Sequence, residues 1–249
     1  MAAPLALLAA AVTNNALWCD AICRAHERVG EFSPHHWLCR VDVPPFYPNL
    51  VTLGDASLPP VAAQLDAIDR LMAANLSPGW ALKDSFAALD LSSRGFSRLF
   101  DAVWIGRDAG LAVDNEDSLH MVVVRDAGAL AAWETAWRRD QGPDADALPV
   151  RLFPDSLLDD PEIAFLAAIG DGGIVAGAAA NRGAGVAGIT NLFCGGEDMG
   201  AVWAGVVALL SRRDPELPLI GYEPADTMGL LRSLDFAMLG TLAVWLAPE

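Results

Sequence analysis

The chain has 249 residues with 16 basic and 32 acidic side chains, a formal net charge of −16 at pH 7, and a pI near 4.4. Such a length holds one large domain or two of ~100–150 residues. A composition of 53% hydrophobic and 19% charged residues excludes a disordered chain. The acidic surface repels phosphate backbones and anionic headgroups, so nucleic acid and membrane are not expected as partners; an amine-bearing small molecule is not excluded.

The mean hydropathy of +0.33 raises the question of membrane insertion. No stretch reaches the ~18–20 uninterrupted apolar residues of a spanning helix. The apolar start from Met1 to Val12 lacks the basic residues and processing site of a signal peptide, and reads as the first turns of a buried helix. Four cysteines are too few for a disulfide scaffold in a chain this long, and a reducing cytoplasm is the expected location. Lys83 is the only lysine, which reads as a compositional bias toward arginine.

In chain order, residues 14–29 form an amphipathic pattern that Asn14 or Asn15 would cap. Asn49 to Leu53 reads as a strand and Val61 to Ala74 as a helix, with Leu65, Ile68, Leu71 and Met72 inward. A strand starting at Trp80 to Leu82, a short helix from Phe86 to Gly95 and a strand from Ser97 to Ile105 follow. Gly106 to Ser118, with Asp114 to Asp117, has no core pattern and reads as a linker. The division expected from it is 1–110 and 118–249. His120 to Arg125 then reads as a strand, Ala127 to Arg139 as a helix, Gln141 to Ala147 as a loop and Asp155 to Asp160 as a short turn. Ile163 to Ile169, Ile174 to Asn181 and Val186 to Cys194 form an antiparallel meander, joined by Gly170-Asp171-Gly172-Gly173 and Arg182-Gly183-Ala184-Gly185. Neither glycine turn leads into a helix, so both read as hairpins and not as phosphate loops. A helix at 198–212, a strand at 217–223, a helix at 226–234 and a strand at 237–246 complete the chain.

The two halves carry matching strings at near-constant offset. Leu91 to Phe96 matches Leu231 to Phe236, Val103-Trp104-Ile105 matches Val244-Trp245-Leu246, and Asn49-Leu50 matches Asn191-Leu192. This pattern points to duplication.

From His120 onward the order is strand, helix, short helix, three-strand meander, glycine-led helix, strand, helix, strand. Its closing segments are Leu217 to Glu223, Leu230 to Phe236 and Gly240 to Trp245. Over residues 118–249 this order resembles the GNAT (GCN5-related N-acetyltransferase) superfamily, and Pro44-Pro45-Phe46-Tyr47-Pro48 with Lys83-Asp84-Ser85-Phe86 resembles uncharacterised bacterial members. The resemblance implies an α/β fold with a mixed, mostly antiparallel sheet flanked by helices, in tandem: a truncated unit at 1–110 and a complete one at 118–249. It also implies acetyl-CoA as cofactor and a small-molecule amine as acceptor. Acetyl-CoA would lie along Asn191, Leu192, Phe193 and Cys194, with its pyrophosphate on the loop and helix start at Gly195, Gly196, Met199, Gly200 and Ala201. There Met199 replaces the family's glutamine or arginine, Val202 replaces a glycine and would crowd a phosphate, and Glu197 and Asp198 bring like charge. The family's tyrosine acid falls on Leu231, so Glu223 as base and Tyr222 as acid are the expected catalytic pair.

Other candidates read as structure. Cys194 has no base beside it for a nucleophilic role. Cys19, Cys23 and His26, followed by His35, His36 and Cys39, lack zinc-site spacing and read as core, so no metal is expected. Trp133 and Trp137, four apart, also read as core. The stretch from Ala131 to Leu158, including Trp133, Trp137, Phe153 and Asp155, would shape the acceptor pocket. The alternative to an acetyltransferase is a GNAT fold that binds without transferring, or a structural, dimer-forming protein.

Overall fold

The structure, a computed structural model, describes residues 4–74, 76–111 and 118–248. The acidic run Asp114 to Asp117 and the expected boundary between 110 and 118 fall largely outside these residues. The chain packs as two compact units: 1–105 with 222–228 and 238–249, and 106–221 with 229–237.

The first unit opens with α1 (Pro4–Ala25), whose buried Leu7, Leu8, Ala11, Val12, Ala16, Cys19, Ile22 and Cys23 recur at helical spacing. The sequence suggested a cap at Asn14 or Asn15, but the helix runs through both. The side chain of Asn15 accepts a hydrogen bond from Lys83 Nζ at 2.8 Å, so it serves a tertiary contact in place of a local cap. The uninterrupted helix is long and apolar enough to cross a membrane, and 61% of its apolar window is buried within the molecule. Strands β1 (Glu31–Phe32) and β2 (His36–Leu38) follow; their brevity left no sequence signal. Next come β3 (Leu50–Thr52), α2 (Val61–Met72), β4 (Ala81–Asp84) and β5 (Ser97–Arg107).

Ile68 and Leu71 of α2 are buried, whereas Met72, expected inward, lies at the helix end and is exposed. The helix expected at 86–95 shrinks to a 3-10 turn at Ser92–Arg94, closed by Gly95 at φ 83°. Asp84 accepts from the backbone N–H of Phe86 at 3.3 Å and of Leu89 at 2.7 Å, a local arrangement that competes with helix formation. The unit's strand order is β1-β2-β3-β4-β11-β5, where β11 (Ala237–Leu246) is the chain's last strand. β11 runs antiparallel to β4, with Ala243↔Asp84, Val244↔Lys83, Trp245↔Leu82 and Leu246↔Ala81.

In the second unit β6 (Met121–Val123), α3 (Ala127–Gln141) and a short α4 (Pro143–Asp146) precede the meander. α4 occupies what reads as loop, with Pro143 at its first position. The meander is β7 (Ile163–Gly170), β8 (Gly173–Gly183) and β9 (Val186–Phe193); α5 (Met199–Arg213), β10 (Leu219–Glu223) and α6 (Met228–Ser233) follow. The strand order is β10-β9-β8-β7-β6. Only β9 and β10 are parallel in this set, paired at Leu219↔Ala187 and Ile220↔Gly188.

Both units thus contain a parallel strand–helix–strand pair of the same span. Leu50 faces Leu82 in one, and Ala187 faces Leu219 in the other, each 32 residues apart (82 − 50 and 219 − 187). By this register Leu50 falls level with Ala187, so Asn49 aligns with Val186 and not with Asn191.

In the segment expected to shape an acceptor pocket, the aromatic residues Trp133, Trp137 and Phe153 are core instead. Trp133 is fully buried, donates from Nε1 to Leu166 O at 2.8 Å, and meets Phe153, Phe165 and Phe193 edge-on at 5.0–5.3 Å. Trp137 packs on Phe153, and Asp155 pairs with Arg151 on the surface. Gly177 makes this possible: a Cβ there would lie 2.6 Å from Trp133 Nε1. Beneath the aromatic cluster, buried Glu134 accepts from the N–H of Leu152 at 2.6 Å and of Phe153 at 3.3 Å, and pairs with Arg138 and Arg151. Removing such a buried hub strands its donors. Glu134→Ala should therefore cost about 3–5 kcal/mol, read as a lowered calorimetric midpoint; an unchanged midpoint would show that the segment holds itself.

Candidate functional site

The nine residues expected to hold a cofactor lie together in the second unit, at the end of β9 and the start of α5. Antiparallel pairing of β9 with β8 passes from Ala179↔Thr190 to Gly177↔Phe193, so Asn191 and Leu192 face the single Ala178. Asn191 takes φ 51°. This bulge bends the strand. Phe193 is turned into the core against Trp133. On the other side of β9, strand pairing covers Ala187 and Gly188; among the described residues, Thr190 to Phe193 have no strand partner there. An extended chain of alternating donors and acceptors could pair with that edge.

Gly195 has no substitute. Its φ is 51°, and a Cβ would lie 2.2 Å from Val175 O. Its N–H donates to Asp140 Oδ1 at 2.8 Å. Gly196, at φ 95°, completes the turn. Asp198 then caps α5, accepting from Ala201 N–H at 2.9 Å. Met199 is exposed and Gly200 half-buried. Val202, expected to crowd a phosphate, is fully buried in the core and leaves the helix end clear.

For acetyl-CoA the fit is divided. The free strand edge suits an extended pantetheine arm. The helix start suits a diphosphate poorly, because the carboxylates of Asp140 and Asp198 already occupy the N–H groups of Gly195 and Ala201, and Glu197 stands exposed beside them. Asp140, 55 residues from Gly195 in sequence, could not have been placed there from the sequence.

The expected catalytic pair ends β10, in segments that pack with the first unit. Neighbours in a strand face opposite sides, so Tyr222 and Glu223 do not converge on one atom. The Tyr222 ring meets Trp104 edge-on at 5.5 Å and lies 4.1 Å from Lys83 Nζ. Glu223 is half-buried, and burial pushes its carboxyl up to about 7.

Tyr222 also borders a cavity of about 400 Å³ in the first unit that the sequence did not indicate. Its walls are the 42–49 loop, residues 77–81 and 83, Leu99, Phe100, Val244 and Leu246. Asn49 braces the loop, donating from Nδ2 to Cys39 O at 3.1 Å and Val41 O at 2.8 Å. Asp42 ties it to Ser77 through two bonds of 2.8 Å. The cysteines near this region are packing groups: Cys19, Cys23 and Cys39 are all buried.

Several solved structures that share this architecture are described as GCN5-related N-acetyltransferases. A GCN5-related N-acetyltransferase from Kribbella flavida matches 96% of this chain and 96% of its own at 15% identity, with a TM-score of 0.59. A conserved protein of unknown function from Staphylococcus epidermidis matches 88% of this chain and 93% of its own at 13% identity, TM-score 0.55. A GCN5-related N-acetyltransferase from Sphaerobacter thermophilus matches 74% and 65% at 13% identity, TM-score 0.50. No protein-family model matches the sequence, and no curated protein matches it. At these identities the likeness shows the fold: a GNAT-like mixed α/β fold, its large and mostly antiparallel sheet flanked by helices.

Glu223 gives a signed test. Its folded pKa lies above the ordinary value near 4.5, so the folded state holds its proton more tightly. Its contribution is favourable at acid pH and is lost as pH rises from about 4.5 through about 7. Glu223→Gln should therefore stabilise the protein at pH 8 by up to about 3 kcal/mol and leave it unchanged near pH 4. Equal melting shifts at both pH values would show that Glu223 ionises normally.

Proposed function

We propose that the protein is a GNAT-fold N-acetyltransferase, a tandem of a truncated and a complete unit, that passes an acetyl group from acetyl-CoA to a small amine in the cytoplasm. Glu223 carries this reading: a carboxyl raised by burial to about 7 sits where a general base works best, near the operating pH. It lies three residues beyond Ile220, on the strand that pairs with β9. Acetyl-CoA, when bound, supplies an activated thioester. The edge of β9 at Asn191, Leu192, Phe193 and Cys194 would hold its pantetheine, and Gly195, Gly196, Met199, Gly200 and Ala201 its diphosphate. Glu223 accepts the proton of the acceptor amine, and its half-buried setting limits competition from water. Tyr222, facing the other side of the strand, is set aside as the acid.

The test is thiol release from acetyl-CoA over a panel of small amines. Activity should rise with pH through about 7 as Glu223 deprotonates. Glu223→Gln should lower kcat by ~10²–10⁴-fold and abolish that rise. Undiminished turnover in Glu223→Gln would remove it as base; bound acetyl-CoA with no release across the panel would establish a binding protein instead.

Carboxylates at the helix start make a second expectation. Like charges about 4 Å apart cost ~1 kcal/mol in water and ~4 near a protein surface. Asp140→Asn with Asp198→Ser keeps a neutral cap and should tighten acetyl-CoA about five- to tenfold by calorimetric titration. Unchanged affinity would mean that the diphosphate does not bind at α5.

A further inference from the structure

The cavity of the first unit holds a cation that no carboxylate among the described residues neutralises. Lys83, on β4, is 4% exposed and borders the cavity. Its Nζ donates to the neutral amide of Asn15 at 2.8 Å and lies over the Tyr222 ring. Among the described residues no carboxylate pairs with it, and the nearby acids are committed elsewhere. Asp42, in the cavity wall, accepts from Ser77 N–H and Oγ. Asp84, next along β4 and on its other face, accepts from Phe86 and Leu89 N–H. Asp20, on α1, takes Trp37 Nε1 at 2.9 Å and Arg24 at 2.6 Å. Burying an ammonium with no counter-ion is electrostatically unfavourable. That cost stands in a protein whose net charge is −16, where acidic partners are plentiful.

Apart from Asp42, Asn49, Ser77 and the two tyrosines, the rest of the cavity wall is mostly apolar. Pro44, Pro45, Pro48, Trp80, Val244 and Leu246 line it. Leu99, Phe100 and Phe46 do so too and are 55%, 42% and 60% exposed, so the approach from solvent is apolar as well. The volume lies within the range of ligand sites, ~300–1,000 Å³. Three prolines and the Asn49 and Asp42 braces preform the loop. One cation suits one negative charge. A phosphate dianion would be left half neutralised, and an ammonium ligand would meet like charge.

We propose that this cavity binds a monocarboxylate with an apolar or aromatic body, its carboxylate paired with Lys83 and its body packed between the proline loop and β11. The proposal does not depend on acetyl transfer, and its test uses no acetyl-CoA. Titration calorimetry of the full chain with 3-phenylpropionate should show saturable binding. 3-Phenylpropionamide and 3-phenylpropylammonium should bind at least tenfold more weakly. Lys83→Met should lose at least tenfold for the acid while the amide is unaffected. Phe46→Asp, an exposed change at a residue with φ 68°, where Asp is tolerated, should weaken the acid by several-fold without touching the core. Equal binding of acid and amide, a preference for the ammonium, full acid affinity in both variants, or no binding of the acid or of C4–C10 alkyl monocarboxylates would each overturn the proposal.

Discussion

The antiparallel contact between β4 and β11 organises the cavity of the first unit. Four residue pairs sort two strands into two faces. Leu82, Ala243 and Trp245 go to the core with Leu38, Leu50 and Ile68. Ala81, Lys83, Val244 and Leu246 go to the cavity. A slip of one residue would exchange the faces, driving Lys83 into the core and Trp245 toward solvent. The position of the buried ammonium and the apolar wall around it therefore follow from one register.

Much of the second unit was legible because its signals are local. The meander alternates apolar runs with glycine turns, and α5 follows two glycines with an acidic cap and apolar residues at helical spacing; strand edges and helix ends fall within a few residues of expectation. The first unit was read less well because tertiary contacts override local cues. Asn14-Asn15 resembles a helix start, but Asn15 is consumed by Lys83, 68 residues away. Phe86 to Gly95 resembles a short helix, but Asp84 takes the amides that would begin it.

The candidate sites divide the same way. The β9–α5 segment could be found by the order of elements, and Asp198 as a cap could be read locally. The obstacle to a diphosphate at Gly195 comes partly from Asp140, whose approach depends on how α3 packs on the sheet. Lys83 was visible as the only lysine yet looked like a matter of composition. Its position in a four-residue strand between Leu82 and Asp84, both buried, was the available signal: alternation requires that it face something.

The division of the chain has a consequence for biosynthesis. Strand β11 lies between β4 and β5 in the sheet order of the first unit, yet in the chain it follows the segments that build the second unit. Until it emerges, the edges of β4 and β5 and the apolar surface that Ala243 and Trp245 later cover have no partner. The N-terminal unit of this protein thus cannot finish folding ahead of the C-terminal one, contrary to the usual vectorial order. While the second unit is being made, the nascent chain carries an open sheet edge.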